Sequence, residues 1–343
     1  MSGGMDSTAA ALILKKERHD VVGFHMSLHG SSDLAWKKAR QAAAEIDVPI
    51  LLKDFRREFD DMVVSYFLHE YLAGRTPSPC PVCNKRIKMT RLSEAAAKSG
   101  CERLATGHYA RVEQGPGGPR LLKGLDKDKD QSYFLCRLTR AMLGRTIFPL
   151  GKLTKQAVKE MLRSEGSSVW QAEESQELCF VPGNDYRRFL RKKGIRSEPG
   201  PILDLQGNTL GTHEGIVNYT VGQRRGLGIC GPRPLYVVRI DVDANAVYVG
   251  TKDATYVTSV KLAQVNYLTD NRPLQGDALR IKVRSTAGEV GCVVSSVSGE
   301  GLTVTFDKPQ SGVAPGQAGV LYSGDRVVGG GWIEEDESAS HRA

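Results

Sequence analysis

Apolar positions near the start of the chain follow two alternating periods. Ala9 to Leu14 is an apolar helical run, Val21 to Met26 reads as a strand, Leu34 to Ile46 as a helix, Ile50 to Lys53 as a strand and Glu58 to Ala73 as a long helix. Alternation at these lengths predicts an α/β region with a parallel sheet covered by helices on both faces. Further along, a basic amphipathic helix is expected over Asn84 to Lys98, and a strand ending in a turn over Leu104 to His108. A hairpin is expected around Gly115 to Pro119, and an amphipathic helix over Lys155 to Ser164. This pattern fades near Asp185, where a basic helical segment, Tyr186 to Lys193, leads into short strands with Gly and Asn turns such as Gln206-Gly207-Asn208 and Asp243-Ala244-Asn245. Short strands at that density predict a small β-rich domain followed by a β-barrel. The expected division is an α/β domain over 1–186, a β-rich central domain over 187–254, a barrel over 255–336 and a polar tail over 337–343.

The first helical run is preceded by Met1-Ser2-Gly3-Gly4-Met5-Asp6-Ser7-Thr8. Two adjacent glycines let the backbone turn and aim successive N–H groups at one point, and Ser2, Ser7 and Thr8 add hydroxyls. With the partial positive charge of a helix start, the result is an anion cradle suited to a polyphosphate. Its spacing is neither that of a P-loop kinase nor that of a dinucleotide fold. It resembles the SGGxDS pyrophosphate loop (PP-loop) of enzymes that split ATP between its α- and β-phosphates. A plain Gly-Ser turn capping a helix is the structural alternative. Because a phosphate loop in an α/β sheet follows a buried strand, a functional chain is expected to carry roughly six to ten residues ahead of Met1.

The remaining composition narrows the class. At 343 residues the chain is long enough for two or three cores, and 40% apolar with 25% charged residues is ordinary for a water-soluble protein. No apolar run approaches the ~20 residues of a membrane span, so a cytoplasmic location without membrane contact is expected. An excess of 47 basic over 39 acidic residues, +8 in net charge, suits a polyanionic partner. Seven cysteines, at 80, 83, 101, 136, 179, 230 and 292, are odd in number and irregularly spaced, which argues against a disulfide scaffold.

The chemically suggestive pair is Cys80-Pro81-Val82-Cys83, opening the Asn84 helix after the proline-rich Gly74 to Pro79. A thiol at a helix start beside Lys85 and Arg86 is expected to have a lowered pKa. A thioredoxin-type disulfide, a zinc site lacking two ligands, and a nucleophile with a distant partner are the competing readings. For the last, Cys179 in Ser175 to Val181 is the candidate partner. The run Lys127-Asp128-Lys129-Asp130 reads by itself as a solvated loop.

Seven blocks then occur in one order: SGGMDS, GRTPSPCPVCN, ATGHYAR, LDKDKDQSYFL, ELCF, YTVGQRRGLG and APGQAGVLY. Together, across nearly the whole chain, they resemble the bacterial tRNA-specific 2-thiouridylases, which put sulfur on the wobble uridine. The resemblance implies a PP-loop ATPase domain, a β-rich central domain and a C-terminal tRNA-binding barrel. It implies ATP, used with magnesium, bound by Met1, Ser2, Gly3, Gly4, Met5, Asp6, Ser7, Met26 and Gly107. Cys83 would be the catalytic nucleophile and Cys179 the carrier of a persulfide received from an upstream donor protein, with a Cys83–Cys179 disulfide left behind. Ser78, Pro79 and Cys80 would line the target base, while His108, Lys129, Asp130, Gln131, Arg284 and Gln317 would touch the anticodon arm of the tRNA. His108 divides between that contact and loop packing. Cys80 stands where many family members carry an aspartate. One alternative is therefore an iron–sulfur cluster held by Cys80, Cys83 and Cys179. The others are a catalytically silent tRNA-binding relative and an amide-forming pyrophosphate-loop ligase.

Overall fold

The computed structural model describes residues 1–30, 33–172, 178–229, 233–299 and 301–335. Cys230, Ser175 to Glu177 and the polar tail over 337–343 lie outside the described residues.

The α/β region begins with α1 (Met5–Lys16), β1 (Gly23–Ser27), α2 (Asp33–Glu45) and β2 (Ile50–Asp54). A long helical stretch follows, built from α3 (Arg56–Phe59), the π-helical Asp60–Val64 and α4 (Ser65–Leu72). α5 (Pro79–Cys83) continues into the π-helical Asn84–Leu92 and α6 (Ser93–Lys98), so the expected Asn84 helix is present but wound wider. Then come β3 (Leu104–Ala105), the hairpin β4 (Ala110–Gly115) and β5 (Gly118–Lys123), α7 (Arg140–Gly144), β6 (Thr146–Ile147) and α8 (Lys155–Ser164).

The expected single parallel sheet is instead two parallel pairs among the described residues: β1 with β2, from Gly23↔Ile50 to Ser27↔Asp54, and β3 with β6. Met1 occupies an edge of β1, where its amine donates to the Phe24 carbonyl and His25 Nδ1 donates to the Met1 carbonyl at 3.0 Å. Cover on both faces also fails at β2, where Leu51 and Leu52 are 41% and 45% exposed. α1 and α8 close a core of their own, in which Ala9, Leu150, Val158 and Leu162 are fully buried.

α9 (Tyr186–Lys192) is the expected basic helix. Tyr186 stacks on Tyr71 of α4 with ring centroids 4.8 Å apart, and its hydroxyl donates to the Asn218 carbonyl at 3.0 Å. The central sheet runs in the order β8 (Thr209–His213), β7 (Gly200–Leu203), β10 (Ala246–Gly250), β9 (Tyr236–Asp241). A closed six-stranded barrel follows: β11 (Tyr256–Tyr267), β14 (Gly301–Ser311), β13 (Val290–Ser298), β12 (Ala278–Lys282), β15 (Ala318–Ser323) and β16 (Arg326–Ile333), with β16 returning to β11. Alternating burial along β14, with Leu302, Val304 and Phe306 inward, is what closure over an apolar core requires. The β4–β5 hairpin docks on β16 through Arg326↔Leu122, so the barrel shares its sheet with the α/β region.

Candidate active site

The loop before α1 is held by its own short-range bonds. Ser2 N donates to Ser7 Oγ (3.0 Å), Gly4 N to Ser2 Oγ (3.3 Å), and Ser7 Oγ and Thr8 Oγ1 both donate to the Gly4 carbonyl (3.1 and 3.0 Å). Gly4 is the N-cap of a 12-residue helix and provides no side-chain cap, which leaves the first turn's N–H groups open to an anion. Gly3 adopts φ +82°, and a Cβ there would lie 2.8 Å from the α2 backbone at Lys38 and Ala39. Asp6 accepts from Tyr109 Oη (3.0 Å) and from Lys155 Nζ (2.7 Å). Lys155 was not singled out in the sequence, because a lysine opening an amphipathic helix carries no motif. Met26 lies half-buried on β1 opposite Lys53.

The second cluster is the thiols. Cys83 is 8% exposed, Cys80 is half-buried and Cys179 is exposed, and all three are free. Cys179 is fixed by its neighbour: Phe180 is buried edge-on against Phe59, Phe67 and Phe189, with centroids 5.1 to 5.5 Å away. Phe180 and Cys83 belong to one apolar core. The Cys83 thiol is pushed up to about 11, by burial above all, with Lys88 opposing the rise and the nearby Cys179 and Cys80 adding to it. Cys80 and Cys179 are shifted upward in the same way, burial first, with Lys88 again lowering both. The expected lowered thiol pKa is therefore corrected: desolvation outweighs the cation and the helix start.

Lys88 is a residue the sequence reading missed. In an α-helix it would fall off the Cys83 face, but the wider winding of Asn84–Leu92 goes with a Lys88 close enough for its charge to act on Cys83. Neighbouring Asn84 is buried and donates to the Phe134 carbonyl at 3.0 Å.

The turn after β3 joins the two clusters. A Cβ on Gly107 would lie 2.6 Å from the Asp6 carbonyl carbon, so only glycine permits that approach. The next residue, His108, is buried, shares a 2.7 Å hydrogen bond with Thr106 Oγ1 and packs edge-on against Phe148. Burial, then Lys88, holds its pKa well below the ordinary histidine range, so it is neutral. Of its two expected roles, packing is the one its position displays.

The other expected residues are placed as follows. Ser78 and Pro79 are buried, leaving Cys80 the most open of that trio. Asp130 accepts from Gly124 N (2.9 Å) and from the Ser132 hydroxyl (2.8 Å), and Gln131 Oε1 accepts from Tyr109 N (3.1 Å). The charged run containing Lys129 is thus an ordered loop, in which Asp126 and Asp130 are bonded while Lys127 and Asp128 are exposed as expected of a solvated one. Its Asp126 also accepts from Lys155 N at 2.8 Å, at the start of α8. Gln317 of the barrel donates to the Thr76 and Pro77 carbonyls (3.1 and 3.0 Å), and Thr76 N donates to the Pro315 carbonyl (2.8 Å). The barrel therefore clamps the segment that carries Ser78 to Cys83. Arg284 is exposed on the barrel, above Gly312. Among the described residues no group of three His, Cys, Asp or Glu side chains is arranged to hold a metal.

Family models match the chain from end to end: a "tRNA methyl transferase HUP domain" over residues 1–183, a "tRNA methyl transferase PRC-barrel domain" over 187–251 and an "Aminomethyltransferase beta-barrel domain" over 257–333. The tRNA-specific 2-thiouridylase MnmA of Syntrophotalea carbinolica is 42% identical over 97% of this chain and 97% of its own. The chain belongs to the 2-thiouridylase family. Relatives of the same name from Geotalea uraniireducens, 41% identical over 97% of this chain and 93% of theirs, and from Rickettsia typhi, 40% identical over 97% of each, agree. The architecture of a 2-thiouridylase, an HUP domain followed by PRC-barrel-like and β-barrel domains, is the architecture described above.

Proposed function

We propose that this 2-thiouridylase family member is an ATP-dependent tRNA-uridine 2-sulfurtransferase that adenylates the wobble uracil and then delivers sulfur from a persulfide on Cys179. The observation that carries this reading is the junction at Gly107 and His108, which sets an anion loop against a pair of thiols drawn from distant parts of the chain. Amide-forming pyrophosphate-loop ligases have no use for such a pair.

ATP enters with its phosphates on the open N–H groups of α1, where Lys155 adds a cation and Asp6, held by Lys155 and Tyr109, sets the loop's shape. Asp6 is also the residue that would hold a magnesium ion carried in on the triphosphate. Met26 and Gly107 flank the nucleotide. A uracil 2-carbonyl is a poor electrophile, so its oxygen first attacks the α-phosphorus, pyrophosphate leaves, and the base oxygen becomes part of a good leaving group. The wobble base must leave its stack to reach the thiols, entering beside Cys80. Ser78 and Pro79 back that pocket. Lys129, Asp130, Gln131, Arg284 and Gln317 shape or contact the anticodon arm.

A separate donor protein loads Cys179 with a sulfane sulfur. The Cys83 thiolate attacks the inner sulfur of that persulfide, forming a Cys83–Cys179 disulfide and releasing hydrosulfide. Hydrosulfide adds to C2 and AMP departs. The sulfane sulfur gains two electrons and the two cysteine sulfurs lose them, so an external thiol must reduce the disulfide before another turnover. Lys88 stabilises the thiolate that this sequence needs from a buried, high-pKa cysteine.

Reconstitution with unmodified tRNA, ATP and a persulfide donor, read by nucleoside mass spectrometry, tests the reading. Cys83→Ser and Cys179→Ser should each lower 2-thiouridine formation by at least about a thousandfold. Full activity in Cys83→Ser would contradict it.

A further inference from the structure

A basic surface extends from the thiol-bearing helix toward the barrel, and the reaction above does not use it. Lys85, on the π-helical segment, is near enough to Arg137 and Arg86 for their charge to add to burial in lowering its pKa. Arg137 and Arg272 line a cavity of about 250 Å³ over the Gln264 to Tyr267 end of β11. Arg272 lies over the Tyr267 ring, 5.1 Å from its centroid, and also lines a neighbouring cavity of about 320 Å³ with Arg120 and Arg326, where the β4–β5 hairpin meets β16.

Among the described residues that line the two cavities, four arginines face two aspartates. Asp270 pairs with Arg140 and also lies near Arg326, and Asp277 accepts from Leu274 N at 2.8 Å. Arg326 Nε is buried and has no hydrogen-bond partner among the described residues. A guanidinium N–H shielded from water without an acceptor, beside like charges, is costly unless an anion completes it. Arginine's planar fork fits the oxygens of a phosphate, and several such forks in a row fit a chain of phosphates better than one isolated ion.

We propose that Arg120, Arg326, Arg272 and Arg137 form a track that holds successive backbone phosphates of the RNA substrate as it runs away from the thiol pocket. The proposal rests on the tRNA reading above and adds where the RNA lies.

The test is the salt dependence of binding, with an unmodified tRNA transcript as probe and circular dichroism to verify folding. Arg120→Gln/Arg326→Gln should weaken binding by roughly tenfold or more near physiological salt and reduce the log–log salt slope by about two. Arg272→Gln, at an exposed position that folding tolerates, should reduce the slope by about one. Arg57→Gln, an exposed arginine away from the track, should leave affinity and slope as in the wild type. Unchanged slopes in the track variants, or an equal loss in Arg57→Gln, would overturn the track. A wild-type protein that binds no tRNA would overturn the tRNA reading as well.

Discussion

The anion loop and the thiol pocket sit on either side of one turn, yet they are built in opposite ways. The loop is built mainly from neighbours: Ser2, Gly4, Ser7 and Thr8 bond to one another within a few positions, while Asp6 is held from outside by Tyr109 and Lys155. The pocket is assembled at long range, with Cys83 at the end of α5, Cys179 placed by the aromatic cluster around Phe180, and the segment ahead of Cys80 held by the barrel's Gln317. A local site is polar and open. In the long-range site Cys83 is buried, and burial sets its acid–base behaviour.

The sharpest way to break this contrast is at Gly107, where the turn that carries His108 meets the loop. Gly107→Ala would place a methyl group 2.6 Å from the Asp6 backbone and force α1 away from the β3 turn. The expected result is loss of roughly 1–3 kcal/mol of stability, with weakening of ATP binding by about tenfold or more, measured by calorimetry; unchanged ATP affinity would mean that the loop does not depend on the turn.

A smaller effect is expected at Lys88, which bears on the long-range site alone. With the Cys83 thiol at about 11, the thiolate fraction rises as pH rises, so alkylation of Cys83 should speed up by about tenfold per unit between roughly pH 7 and 10. Removing the cation in Lys88→Met should push the thiol higher still and slow alkylation at any given pH by about tenfold, an amount equal to about one unit of pKa. Peptide mass spectrometry after iodoacetamide treatment reads both, and equal rates in the two proteins would separate Lys88 from the thiols.

The smallest effect belongs to Gln317. Replacing it with alanine removes two hydrogen bonds from the barrel to the Thr76–Pro77 backbone, worth about 1–2 kcal/mol together. Thiolation should fall a few-fold while ATP affinity holds; a loss of ATP binding instead would show that the barrel supports the loop as well as the pocket.

What was legible in the sequence follows the same division. Ser-Gly-Gly-Met-Asp-Ser declares a phosphate cradle because every group it needs is adjacent, and the periods of Glu58 to Ala73 and of the barrel strands give their elements directly. Seven blocks in order carried the family. The direction of the thiol pKa was not legible, because a CxxC at a helix start says nothing of the desolvation that Val82, Ile87 and Phe180 impose. Lys88 was hidden because helical wheels assume 3.6 residues per turn, and Lys155 because its partner Asp6 is far away in the chain. The interrupted parallel sheet was hidden too, since pairing between strands depends on what occupies their edges.

The most direct measurement of the central claim is the state of the cysteines after one round of reaction without reductant. Non-reducing peptide mapping should find a Cys83–Cys179 disulfide in the same amount as 2-thiouridine, with Cys80, Cys101, Cys136, Cys230 and Cys292 still free. Formation of 2-thiouridine with Cys83 and Cys179 both left as thiols would contradict the account.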